Sequence, residues 1–197
     1  MTGAPFLIEM WPYNAIFWLV FAGVLAPEFL IILRRREPAT SAQDAGSKRL
    51  IVFGQVFAVV ATFAMPQNLP SAALPNPVAW FWLGIAMMLA GAALRIHSKR
   101  MLGTSFTGAV IVTGDQAVVD RGAHRYVRHP SYTAAAMLFV GIGVAVANWA
   151  SILVMAVVVS VAYGYRVRVE ERALADTIGE PYRDYMAHTK RFVPFIY

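Results

Sequence analysis

The sequence predicts an all-α, polytopic membrane protein with about five transmembrane helices. Three observations predict it. Hydrophobic residues make up 58% of the 197-residue chain and charged residues only 14%, where soluble domains carry roughly 25% charge. Apolar runs recur along the chain, and a helix of roughly 20 such residues crosses about 30 Å of hydrocarbon. All 17 lysines and arginines fall on one side of the membrane when the connectors between five spans alternate sides. Cytoplasmic loops are enriched in Lys and Arg, so this bias places the N-terminus outside and the C-terminus in the cytosol.

The first span is Asn14 to Leu33, stopped by Arg34, Arg35 and Arg36. Glu28 inside it is a functional candidate by position, but the arginine cluster that follows favours a paired or snorkelling carboxylate. The polar connector EPATSAQDAGSK follows, rich in turn formers. Leu50 to Met65 is a second apolar stretch, ended by Pro66, and the loop PQNLPSAALPNP carries four prolines and no charge. Val78 to Ile96 is the third span, with Arg95, His97, Lys99 and Arg100 at its boundary. Residues 98–130 form the longest polar stretch, with glycines at 103, 108, 114 and 122. Thr133 to Ala147 and Ala150 to Gly164 are two shorter apolar stretches around Asn148 and Trp149. At about 1.5 Å per residue each needs its polar flanks to span, and together they read as a tight helical hairpin. From Arg166 the chain turns amphipathic. Trp11, Tyr13, Trp80, Trp82 and Trp149 fall near the outer boundaries, as interfacial aromatics do. The whole chain, 1–197, reads as a single integral membrane domain, with three N-terminal helices over 1–97 and a site-bearing half over 98–197.

Several chemistries are excluded. With no cysteine there is no disulfide, thiolate metal site or cysteine nucleophile. The histidines at 97, 124, 129 and 188 have no metal-site spacing, so no metal is expected. There is no phosphate-binding loop, dinucleotide fingerprint or serine nucleophile elbow. Nothing in the pattern points to nucleic acid, and the sequence assigns no oligomeric state. The N-terminus lacks the basic region and cleavage site of a removable signal peptide.

Polar chemistry instead gathers in two cytosolic segments, Gly103 to Tyr132 and Tyr163 to Tyr197. A hairpin makes them emerge side by side, with Arg128, His129 and Tyr132 facing Arg166 and Glu170. Tyr163, Arg166 and Glu170 recur at i, i+3 and i+7 and share a helix face, while Arg168, Glu171 and Arg172 point elsewhere. Two readings fit. Basic residues at a cytosolic helix end anchor to anionic lipid, and Arg–Glu pairs at this spacing are common on surfaces. The same groups also suit a pocket for an anionic ligand. Pro130 serves either reading as the first residue of a helix.

The order of motifs is a loop ending GAHRYVRHPSYTA, a helical hairpin, then EERALADTIGEPYRDYMAHTKRFVPFIY. It resembles the membrane methyltransferases typified by isoprenylcysteine carboxyl methyltransferase, with the phospholipid N-methyltransferases as relatives. The resemblance rests on Gly122, Arg128, His129, Pro130 and Tyr132, then Arg166, Glu170 and Glu171, then Gly179, Glu180, Tyr182, Tyr185, Pro194 and Phe195. One departure is His124, where the family pattern has tyrosine two residues after the glycine. The resemblance implies S-adenosylmethionine as cofactor. It implies a cofactor pocket built from Gln116, Ala117, Val118, Val119, His124, Arg128, His129, Pro130, Ser131, Tyr132, Glu170 and Glu171. It implies that Arg166 is the catalytic and substrate-facing residue. The acceptor it implies is a lipophilic molecule within membrane lipid: the carboxylate of a prenylated cysteine or a related isoprenoid acid, or, as an alternative, a phospholipid amine. A non-catalytic lipid- or partner-binding membrane protein is the reading from another class. A carboxylate acceptor needs no general base, whereas an amine needs one, for which Glu170, Glu171 and His124 are candidates.

Overall fold

The structure, a computed structural model, describes residues 7–34, 44, 46–102 and 118–192, with the backbone alone for 28–34. Its helices are α1 (Tyr13–Arg34), α2 (Ser47–Asn68), α3 (Pro77–Leu102), α4 (Pro130–Ala145), α5 (Trp149–Ile178) and α6 (Glu180–His188). The protein is an all-α, polytopic membrane protein. α2, α3 and α5 are long and apolar enough to cross a bilayer, and Tyr13–Pro27 and α4 are shorter apolar helices.

Several boundaries differ from the sequence reading. α2 begins at Ser47 and runs through Pro66 to Asn68. Proline lacks an N–H and strips the carbonyl four residues earlier of its donor. That carbonyl belongs to Thr62, and the buried Ser151 hydroxyl of α5 donates to it at 2.8 Å. The cost of a proline within α2 is thus met by a contact between helices, which local sequence does not disclose. α3 continues past His97 to Leu102. α5 does not end at Gly164 but runs unbroken for 30 residues.

The expected hairpin is present. α4 starts at Pro130 with His129 in the capping position, and ends in a turn at Val146–Asn148 where Ala147 takes a left-handed φ of 55°. Asn148 caps α5 by accepting from the amides of Ala150 (3.0 Å) and Ser151 (3.2 Å), and donates its side-chain N–H to Leu69 O at 3.2 Å. Leu74 N donates to Ala147 O at 2.8 Å, so the short Pro70–Ala72 turn is joined to the hairpin tip.

Lipid supplies no hydrophobic drive for helices to associate, so close packing of small residues must hold them together. α3 and α4 meet in this way. A Cβ on Gly84 would lie 2.3 Å from Ala145 N, one on Gly91 2.7 Å from Ala134 O, and one on Gly141 2.9 Å from Gly84 O. α1 is held by aromatic rings, with Phe17, Trp18 and Phe21 packed against Phe63 of α2. Leu153, Val157 and Val161 of α5 are exposed and form its lipid face, while Ser151, Met155, Val159 and Tyr163 point inward. Continuing along the outer face come Tyr165, Arg168 and Arg172, also exposed. The change from aliphatic through aromatic to basic marks where α5 leaves the hydrocarbon.

Gly84→Ala is expected to lower stability by about 1–3 kcal/mol, because the α3–α4 backbones cannot separate cheaply. Gly23→Ala, with open space around it, should leave stability unchanged or slightly raised. Thermal unfolding of the two variants in one detergent checks this.

Candidate active site

The part of α5 beyond the lipid face organises the site. Residues on a helix turn about 100° per position, so adjacent Glu170 and Glu171 face different neighbours.

Glu171 turns toward the loop before α4 and the chain after α6. Arg128 Nε donates to its Oε1 at 2.8 Å, His129 Nε2 lies 3.2 Å from the same oxygen, and Arg191 Nε donates to Oε2 at 2.9 Å. Its side chain is 5% exposed. Arg128 also donates to the carbonyls of Met186 and Thr189. The backbones join as well: Arg128 N donates to Lys190 O at 2.7 Å and His129 N to Arg191 O at 3.0 Å. Thr133 Oγ1 donates to Phe192 O at 2.8 Å. A strap at residues 189–192 is therefore bound across the entry to α4.

Glu170 turns toward α4 and keeps 28% side-chain exposure. Tyr132 Oη donates to its Oε2 at 2.6 Å, and Arg166 Nε donates to Tyr132 Oη at 2.9 Å and stands 3.8 Å from the Glu170 carboxylate. Arg166 is 2% exposed. Its Nη1 donates to Asp44 Oδ1, just ahead of α2, and, at 2.8 Å, to Ser47 Oγ at the helix start. One turn deeper, Gln55 Nε2 of α2 donates to Tyr163 Oη at 2.6 Å, and the Tyr163 and Tyr132 ring centroids are 5.4 Å apart. A ladder of polar groups thus runs from the membrane surface into the space between α2, α4 and α5. It ends on one open carboxylate.

The loop before α4 forms the rim. Gly122 has φ +58°, and a Cβ there would meet His97 Nε2 at 3.0 Å and Met101 at 3.1 Å, so a glycine suits this approach to α3. His124 is 4% exposed, and its Nε2 has no hydrogen-bond partner among the described residues. Burial lowers its pKa to about 4, with the charges of His129 and His97 acting the same way and a backbone hydrogen bond at Arg128 and the Glu170 charge opposing. The imidazole is neutral at pH 7. Its backbone carbonyl accepts from Tyr185 Oη of α6 at 2.6 Å, and burial pushes that phenol up to about 12, so it remains a donor. A cavity of about 450 Å³ lies beside this contact, bordered by Val118, Asp120, Arg125, Asp184, Tyr185 and His188. Small-molecule pockets fall at about 300–1,000 Å³.

Of the residues singled out from sequence, Arg128, His129, Tyr132, Arg166, Glu170 and Glu171 are brought together by direct contacts. Pro130 starts α4. Ser131 is buried, and Arg95 Nη1 donates to its carbonyl (3.0 Å) and hydroxyl (2.9 Å). Arg95 is thus more than a boundary residue. Val118 borders the cavity and Val119 is half-buried. Gln116, Ala117 and the Glu28 side chain lie outside the described residues. Sequence reasoning missed Asp44, Ser47 and Gln55. Asp44 and Ser47 carried a faint signal, an acid three residues ahead of a serine at a helix start. Gln55 was visible as an amide within an apolar run.

The family match overlaps much of this part of the chain. Residues 78–176, half of the chain, match the isoprenylcysteine carboxyl methyltransferase (ICMT) family. The chain belongs to this family. Among relatives, a probable protein-S-isoprenylcysteine O-methyltransferase of Oryza sativa subsp. indica is 24% identical over 177 residues, covering 85% of this chain and 93% of the relative. Protein-S-isoprenylcysteine O-methyltransferase B of Arabidopsis thaliana is 30% identical over 115 residues, covering 57% and 58%. A solved eukaryotic intramembrane Ras methyltransferase, an isoprenylcysteine carboxyl methyltransferase, superposes with a TM-score of 0.70 at 22% identity, over 99% of this chain and 70% of that one. The last likeness bears on fold alone. As an isoprenylcysteine carboxyl methyltransferase family member the chain is a membrane methyltransferase that uses a methyl-donor cofactor. The residues present fit such a group: Glu170 is open to accept hydrogen bonds, and His124 Nε2 is a buried polar atom lacking a partner among the described residues.

Glu171→Ala should destabilise the protein by about 3–5 kcal/mol, the range for breaking one side of a buried charge cluster, whereas Glu170→Gln should cost far less. Denaturant titration in detergent separates them. His124 should add an acid limb to stability. Its folded pKa of about 4 lies below the ordinary 6.5, so below about 6.5 the unfolded chain takes up a proton that the folded chain refuses. Stability should fall as pH drops from about 6.5 toward 4, and His124→Gln should lack this component when unfolding is compared at pH 7 and pH 5.

Proposed function

We propose that the protein transfers a methyl group from S-adenosylmethionine to the carboxylate of a lipophilic acceptor, a prenylated cysteine or related isoprenoid acid, at the cytosolic face of the membrane. The observation that carries this is the buried Arg166 guanidinium set directly beside the half-open Glu170 through Tyr132. A guanidinium in a low-dielectric site binds a carboxylate strongly and with defined geometry. The relatives named as O-methyltransferases favour a carboxylate over the amine of a phospholipid.

The division of labour follows from the geometry. When bound, the cofactor supplies a methyl group on a positively charged sulfur. Glu170 would accept hydrogen bonds from its ribose hydroxyls or amino group, and His124 Nε2 would offer a further neutral contact. Ser131, Pro130, Val118 and Val119 complete the described part of the wall. Arg128, His129 and Glu171 act as positioning residues, since they are engaged with one another and with the strap. Arg166 orients the acceptor carboxylate, and no base is needed because the attacking oxygen is already ionised. The remaining requirement is alignment with water excluded. The acceptor's tail lies in lipid or between helices, which explains why the site sits where α5 leaves the hydrocarbon.

The chain works as a single domain. Three N-terminal helices face the acceptor tail, and residues 98–197 hold the cofactor. Five spans, with the N-terminus outside and the C-terminus in the cytosol, put every Lys and Arg on the cytosolic side.

Isothermal titration of S-adenosylmethionine into the detergent-solubilised protein tests the reading, and absence of binding to folded protein removes it. Glu170→Gln should weaken cofactor binding by about tenfold or more, a loss of at least 1.4 kcal/mol. Arg166→Lys should leave cofactor affinity near wild type while raising the acceptor KM or lowering kcat.

A further inference from the structure

We infer that Asp44 occupies the acceptor-carboxylate position on Arg166, and thereby restricts the site to anionic acceptors through exchange of one carboxylate for another. The inference rests on the proposed role of Arg166. Asp44 is 3% exposed and Arg166 2%. They are 122 residues apart in sequence, and Asp44 belongs to the connector ahead of α2. This ion pair is therefore a product of the fold, unlike the Arg166–Glu170 pair on one helix.

A buried guanidinium with no counter-ion is strongly disfavoured. An enzyme that holds such a group ready for a carboxylate needs a stand-in while the acceptor is absent. Asp44 has the chemistry of that stand-in, since its carboxylate is what the acceptor presents. Glu170 also stands near the guanidinium and is engaged by Tyr132. A third carboxylate cannot join these two without severe like-charge repulsion at low dielectric. The acceptor must replace one of them.

Each has other partners, Tyr132 for Glu170, but those of Asp44 are donors at a helix start. Its Oδ2 accepts from the Lys48 amide at 3.1 Å and its Oδ1 from Ser47 Oγ at 3.2 Å, both in the first turn of α2. The N-terminus of a helix favours negative charge, so an Asp44 released from Arg166 remains solvated by its own helix. A neutral acceptor offers nothing in exchange and leaves the pair closed. After transfer the methyl carbon's bond to the cofactor sulfur has broken, its electron pair staying on a now neutral thioether; the acceptor oxygen carries the methyl group, no proton has moved, and the ester is uncharged. It no longer matches the guanidinium. Asp44 returns, which favours release of the ester.

The test uses the full-length protein in detergent with an S-prenyl N-acetylcysteine as acceptor, and its methyl ester and primary amide as inhibitors. In wild type the free acid should compete at least tenfold better than the amide. Asp44→Asn should lower the acceptor KM by about tenfold, as expected for removal of a competitor worth about 1.4 kcal/mol. It should strengthen inhibition by ester and amide and leave cofactor affinity unchanged by titration calorimetry. Asp44→Ser keeps an oxygen for the Lys48 amide and should behave the same way, which separates exchange from loss of the helix cap. An unchanged or raised acceptor KM in both variants with cofactor affinity intact overturns the inference while leaving the proposed reaction standing. Equal competition by acid and amide in wild type also overturns it, with no variant involved. Wild-type protein that binds cofactor but methylates no acid removes the proposed reaction itself, and this inference with it.

Discussion

The structure depends on a carboxylate buried among basic side chains. Glu171 receives Arg128, His129 and Arg191 from two segments that are far apart in the chain. Breaking one partner of such a cluster leaves charge stranded in a poorly solvated place. The cluster therefore holds the loop before α4 and the strap after α6 in one arrangement. Everything the proposed chemistry needs is positioned from there: His129 caps α4, Tyr132 lies three residues on, and Tyr185 of α6 grips the carbonyl of His124.

The second constraint is the continuity of α5. One rigid helix runs from the Asn148 cap through the lipid face to Ile178. Along it the inward stripe changes from Met155 and Val159 to Tyr163, Arg166 and Glu170 without a break. An enzyme acting on a molecule with an apolar tail and a charged head needs this juxtaposition. The tail is solvated in lipid or between helices, and the head is read a turn or two further along. Placing the reading groups on a helix rather than a loop keeps their spacing fixed.

Electrostatics then explains the choice of residues. Arg166 is tolerated in its buried position because Asp44, Ser47, Tyr132 and Glu170 surround it with acceptors. The same crowding means that, if Arg166 receives the acceptor as proposed, the anion enters a site already neutralised, and binding is a replacement more than an addition. Adjacent glutamates take opposite fates for a geometric reason. The closed one, Glu171, ties the loop before α4 to the strap, and the open one, Glu170, keeps part of its carboxylate exposed.

The sequence by itself determined the membrane character, the hairpin and the face shared by Tyr163, Arg166 and Glu170. Hydropathy and helical periodicity are local properties and survive in any packing of the helices. The motif residues from Gly122 to Tyr132 and from Arg166 to Glu171 were also legible, through their order along the chain. Tertiary structure alone decided which of them touch. That Pro66 lies within α2 follows from a hydroxyl on α5. That Arg95 pins Ser131, and Asp44 meets Arg166, follows from where α3 and the start of α2 come to rest against the hairpin. Such contacts join residues separated by 36 and 122 positions. Their partners are selected by packing and by the need to satisfy buried charge, and neither is written in the local pattern of residues.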